Sequence, residues 1–161
     1  MSGINQFKGS FLDLARPNRF EVSASVLGTG VRFFAKAASL PGATLGVMET
    51  PYQGRQIKLA GDRIYADWDI TVYMDDRGSI RKAVEAWQTT ALGHENNIGA
   101  AAHLQYKEDV TVRQLNRQDS VIQEFKLIGC FPTEIGPLDL AWDSNDTPAE
   151  FTIKLAYDYY E

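Results

Sequence analysis

Cysteine is nearly missing from this chain: Cys130 stands alone among 161 residues. A single thiol rules out an internal disulfide framework and any cysteine-based zinc cluster. Histidine is almost as scarce, with only His94 and His103, which argues against a histidine-rich metal site within one chain. A basic excess is lacking too. Sixteen Lys and Arg oppose 21 Asp and Glu, a formal net charge of -5 that leaves no cationic stripe for gripping a phosphate backbone. The opening MSGINQFKGSFLDLARPNRF holds no apolar core of signal-peptide length. No window approaches the ~18 apolar residues of a membrane span. These absences lead to the expectation of a soluble cytosolic product with no cofactor.

Catalytic signatures are missing as well. Gly28-Thr29-Gly30 lacks the third glycine and the following helix of a dinucleotide fingerprint, and no G-x-x-x-x-G-K-[ST] phosphate loop occurs. His94 sits in a polar GHENN loop without a nucleophile elbow nearby. WDSND at 142–146 lacks the glycine and the terminal glutamate of a calcium loop and reads as a turn. Cys130, inside the apolar LIGCF, reads as a small buried hydrophobe.

What is present is ordinary globular composition, 44% hydrophobic and 23% charged. A chain of this length forms one domain able to bury ~68–70% of its unfolded surface. Period-two alternation dominates. In RFEVSASVLG, Phe20, Val22, Ala24 and Val26 share one parity, and in VRFFAKAA so do Val31, Phe33, Ala35 and Ala37. With the glycines of GTG between them, these runs predict an N-terminal hairpin. DRGSIRKAVEAWQTTALG predicts the one clear helix, over 79–92, with Ile80, Ala83, Val84, Trp87 and Ala91 inward, Ser79 as N-cap and Gly93 beyond its end. Two strands are expected over roughly 104–115 and 120–130, joined by NRQDS. A last strand runs through FTIKLAYDYY with Phe151, Ile153, Leu155, Tyr157 and Tyr159 on one parity. The fold class is therefore mainly β (α+β), with about seven strands and a helix covering a sheet.

Two stretches raise functional questions. GDRIYADWDITVYMDD places Asp67 and Asp69 on one strand face, about 6.7 Å apart, a separation compatible with the paired carboxylates of inverting glycosidases. Nothing around them supplies an apolar pocket to split their pKa values, so a solvated strand face is the preferred reading. Asp75 and Asp76 suit a turn before the helix. SLPGATLGVMETPYQGRQIKLAGDR, residues 39–63, mixes two prolines and four glycines with strand-like pieces dotted by Leu45, Val47, Tyr52, Ile57 and Leu59. It reads as a long loop or protruding hairpin, a docking arm that a compact core would not need.

The succession ARPNRFEV, SLPG, AGDR…DWDITV, the amphipathic helix ending in Trp87, LAWDSND and the terminal LAYDYYE resembles the tail tube protein of T-even-like contractile-tailed bacteriophages (myophages) over nearly the full chain. The resemblance implies two packed antiparallel sheets, a β-sandwich or barrel with one flanking helix, related to the tube protein of type VI secretion systems. It implies hexameric rings whose inner strands join into a barrel, stacked head to tail as a conduit for the genome. The partners it implies are other copies of the chain, the tail sheath protein, and baseplate initiator and terminator proteins. Tape measure protein and DNA would be transient lumen contents, with no membrane, no catalysis and no cofactor, in a virion tail assembled in the host cytoplasm. Six copies at -5 amount to a formal -30 per ring, over which DNA slides rather than sticks.

By position, Leu40, Pro41 and Gly42 of SLPG and Asp62 and Arg63 of AGDR mark the arm's exit and return, with Arg55 and the apolar residues above as stacking candidates. Asp62 and Arg63 are either partners between subunits or a local turn pair. Lumen candidates are Lys107, Asp109, Thr111 and Arg113 with Gln123 and Glu124; apolar residues on both parities leave the bore-facing side open. The same fold suits the tube of a phage-derived bacteriocin or secretion-like injection system. From other classes, a small-molecule-binding β-barrel or a carboxylate-pair hydrolase are the alternatives.

Overall fold

The computed structural model describes Ile4 and residues 17–93, 98–99 and 101–161. The rest of the N-terminal segment, the GHENN loop with His94, and the side chain of Phe33 lie outside the described residues. The strands, in chain order, are β1 (Phe20–Ala24), β2 (Ala35–Ala38), β3 (Ala43–Tyr52), β4 (Arg55–Tyr65), β5 (Trp68–Tyr73), β6 (Glu108–Leu115), β7 (Val121–Ile135), β8 (Glu150–Ala156) and β9 (Tyr159–Tyr160). A single helical turn, α1 (Val31–Phe34), precedes β2, and the main helix is α2 (Ser79–Ala91). Seven strands make one sheet in the order β1-β6-β7-β8-β5-β2, with β9 beside β7, while β3 and β4 form a separate pair. Among the described residues the chain is mainly β with one substantial helix, as its alternation predicts.

The large sheet is two wings sharing β7. The first half of β7 pairs with β6 and β9, and its last residues pair with β8. The changeover falls at Gly129, whose φ of +69° is open to glycine at little cost and puts a bulge-like bend in the strand. A Cβ at that point would also collide with the Asp158 carboxylate. Both wings face one core, in which Val22, Val110, Val112 and Leu127 from one side meet Trp68, Ile70, Val72, Phe151, Ile153 and Leu155 from the other. Each such side chain contributes roughly 1.5–3 kcal/mol by leaving water. Helix α2 closes the layer with Ile80, Val84 and Trp87, the indole of Trp87 donating to the Tyr106 carbonyl at 2.5 Å.

Three local expectations need correction. No N-terminal hairpin forms: β1 pairs with β6, β2 pairs with β5, and α1 interrupts the run between them. The alternation that suggested a hairpin is real, but each strand finds its partner far along the chain. The final strand breaks at Tyr157–Asp158, where the Asp158 N–H turns to the Ile128 carbonyl. After that break Tyr160, not Tyr159, packs on the core. At the helix start, Gly78 takes the cap position and Ser79 is its first residue, its hydroxyl donating to Asp75 at 2.6 Å. That bond, with nearby backbone N–H groups, holds the Asp75 carboxyl below its ordinary range. At the other end Leu92 is extended and Gly93 donates to the Ile98 carbonyl, so no glycine cap is used.

Candidate assembly surfaces

The hairpin β3–β4 is exposed along both of its strands. Its two-residue turn, Gln53-Gly54, has positive φ at both positions (45° and 79°), the mirror-image geometry that matches strand twist and that glycine favours. Register slips once, between Leu45 and Val47, where an extra residue on β4 opposes Gly46. The root is latched to the body. The Trp68 indole donates to the Ser39 carbonyl at 2.5 Å, the Tyr157 hydroxyl reaches the Gly42 carbonyl at 3.5 Å, and the Tyr65 ring meets those of Tyr157 and Tyr160. Burial around this cluster pushes the Tyr157 hydroxyl pKa up.

SLPG therefore lies at the arm's exit, with Leu40 exposed and Pro41 half-buried. AGDR does not turn; it runs inside β4, where Asp62 belongs to the bulge. Asp62 and Arg63 make no ion pair with each other, and both face solvent, as does Arg55. Leu45, Val47, Tyr52, Ile57 and Leu59 are each about half exposed or more, and the strands that carry them rest on no other strand.

A second surface is the outer face of β1, β6 and β7. Register places Glu21, Arg113 and Glu124 in one row and Ser23, Thr111 and Lys126 in the next, with Asp109 on the same side. Arg113 bonds Glu124 at 2.6 Å, Lys126 pairs with Asp109 at 3.0 Å, and Lys107 bonds both carboxylate oxygens of Asp158 at 2.8 Å. The Lys126 ammonium holds Asp109 below the usual carboxylate range, helped by the Gly129 N–H, and Asp109 raises Lys126 in return. Arg113 is raised by Glu124. Of the lumen candidates, Asp109, Thr111, Arg113 and Glu124 thus share one polar face, with Lys107 at its margin. Gln123 pairs with Gln114 on the opposite parity, that of Val110 and Val112. Burial separates the two parities of β6: Val110 and Val112 face the core, and Asp109, Thr111 and Arg113 lie on the other side.

A third surface escaped sequence reasoning. The segment between β7 and β8 carries Leu140 and Trp142, which are 83% and 103% exposed. In sequence LAWDSND reads as a turn and a family motif; its apolar pair, Leu140 and Trp142, is the signal that singles it out.

Asp67 and Asp69 are exposed, and Asp69 opposes Lys154, which itself bonds Glu134 at 2.9 Å. Among the described residues no His, Cys, Asp and Glu group is placed to hold a metal. Burial pushes the Cys130 thiol up to about 12, leaving it unreactive. No helix of the described chain is long and apolar enough to cross a membrane.

The family model described as "Phage tail tube protein" matches residues 6–161. The tail tube protein gp19 of Enterobacteria phage T4 is 38% identical over 150 residues, 92% of each chain. Among solved structures, the fold is similar to a chain of the anti-feeding prophage baseplate (TM-score 0.67, 12% identity, covering 92% of this chain and 95% of that one). It is likewise similar to a chain of an extracellular contractile injection system sheath-tube complex (0.63, 18%, 100% and 97%). A type six secretion system protein shares the fold at 0.53 (11%, 88% and 80%). The chain belongs to the phage tail tube protein family: it is a structural subunit of a contractile virion tail and not an enzyme.

Proposed function

We propose that this subunit closes into hexameric rings that stack head to tail, with the β3–β4 hairpin reaching from each ring to the next. A contractile sheath surrounds the tube, and initiator and terminator proteins hold its ends. Tape measure protein and then DNA occupy the bore. The observation that carries this reading is the hairpin itself, about 33 Å long at ~3.3 Å per residue and exposed along both strands. An isolated two-stranded ribbon is marginal in water, so an apolar-dotted one is expected to rest on a partner. The sheet's terminal strands, β1 and β2, each have one neighbour among the described strands. Joining such edges between copies removes sites of uncontrolled pairing. The similar baseplate structure is six-fold symmetrised, which supports the ring number.

The paired face of β1, β6 and β7 is assigned to the bore. Each cation there already holds a carboxylate, so little is left to exchange counterions with DNA phosphates. A bacteriocin or injection-system tube is the second reading. Identity of 38% to a virion protein against 18% or less to the injection-system chains favours the genome conduit. Negative-stain images of the concentrated chain, alone and with sheath and initiator, test the proposal. Rings and hollow tubes are expected; a persistent monomer under all these conditions contradicts it.

A further inference from the structure

The register of the arm separates its two faces. Beyond the bulge, Met48 opposes Leu59, Thr50 opposes Ile57 and Tyr52 opposes Arg55 on one side. The other side carries Val47 against Ala60, Glu49 against Lys58 and Pro51 against Gln56. One face thus carries the large apolar side chains and ends in a cation, while its reverse mixes Val47, Ala60 and Pro51 with Gln56 and the Glu49–Lys58 ion pair. Met48, Tyr52, Ile57 and Leu59 are all about half exposed or more, so this face is not folded back on its own body.

The exposed loop with Leu140 and Trp142 is its complement in both respects. Residues 137–149 hold Asp139, Asp143 and Asp146 and no cation, whereas residues 44–64 hold Arg55, Lys58 and Arg63 against Glu49 and Asp62. The two features also sit at opposite ends of the β5–β8 pair. The arm roots beside Trp68 and Tyr157, while the loop leads into β8 where Glu150 opposes Tyr73 and Ala149 accepts from Met74. An arm at one end and its complement at the other is the arrangement of a heterologous contact, which propagates instead of closing on a pair.

We infer that the apolar face of the arm, with Arg55 at its tip, seats on the Leu140–Trp142 loop of a second copy in the adjoining ring. This rests on the tube reading and names the surfaces that make the stack. It assigns Trp142 a buried position in the assembled tube, and Asp139, Asp143 and Asp146 the role of meeting the arm's cations.

Complementation tests it. One full-length variant carries Ile57→Asp and Leu59→Asp on the arm, and another carries Trp142→Asp in the loop. Each is first confirmed to melt like the wild type, as solvent-exposed substitutions should. Alone, each variant is expected to lose tubes and stop at single rings. Mixed, they retain one good arm and one good loop between them, so ring pairs are expected without longer tubes. Wild-type tubes that persist in Trp142→Asp overturn the inference and leave the tube reading standing, and so does a mixture showing only single rings. A wild-type chain that makes no tube under any condition overturns both.

Discussion

At the scale of single residues, Gly129 decides whether β7 can serve both wings of the sheet. Its left-handed backbone and the carboxylate pressed against it leave no room for a side chain. Gly129→Ala is expected to cost about 1–3 kcal/mol of stability, from backbone strain plus displacement of Asp158 from Lys107. Chemical denaturation measures it, and an unchanged midpoint contradicts the account. Asp109 gives a second prediction. Lys126 lowers its carboxyl pKa in the folded chain, so its contribution to stability is present above the unfolded value of ~3.9 and is lost as pH falls through the folded one. Melting temperature should fall below about pH 4, and Asp109→Asn should flatten part of that fall while lowering stability at neutral pH. Equal acid slopes for the two chains would remove Asp109 from the explanation.

At the scale of elements, the arm is a two-stranded ribbon with water on both faces, held mainly by its root and its turn. Its amides are expected to exchange with solvent much faster than those of β5 and β8 in the free subunit, and to become protected on assembly. Hydrogen exchange reads both states, and an arm equally slow in both would mean its order owes nothing to a partner. The elements also divide by how legible they are. Helix α2 and the buried parity of β5 follow from local periodicity, because each side chain's environment is fixed by residues three, four or two positions away. The false hairpin at Gly28–Gly30 shows the limit: alternation says that a strand forms, not that its partner lies ninety residues on in β6. The tyrosines of YDYY hid the break before β9, since an apolar side chain on either parity reads as continuous alternation. For the assembly surfaces, the arm's residues could be named, but sorting its faces required the bulge, and sorting the parities of β6 required knowing which side of it is buried.

At the scale of the whole molecule, the absences noted in the sequence fit a part that is used for its shape. One cysteine, two histidines and a formal net charge of -5 fit the proposed conduit. If the outer face of β1, β6 and β7 lines the bore, Asp109→Asn with Glu124→Gln frees Lys126 and Arg113. Tubes of that variant should then retain DNA at low salt and release it as salt rises. Wild-type tubes should retain none, and identical behaviour of the two would place this face elsewhere. The claim on which the rest depends is that the arm joins ring to ring without being part of the folded core. Ala43 and Tyr65 are register partners, so residues 44–64 can be replaced by two glycines with little strain on the body. Electron microscopy of that chain beside the wild type is the most direct test. The account predicts a folded protein that forms rings but no stacked tube; tubes of wild-type length, or a chain that no longer folds, would contradict it.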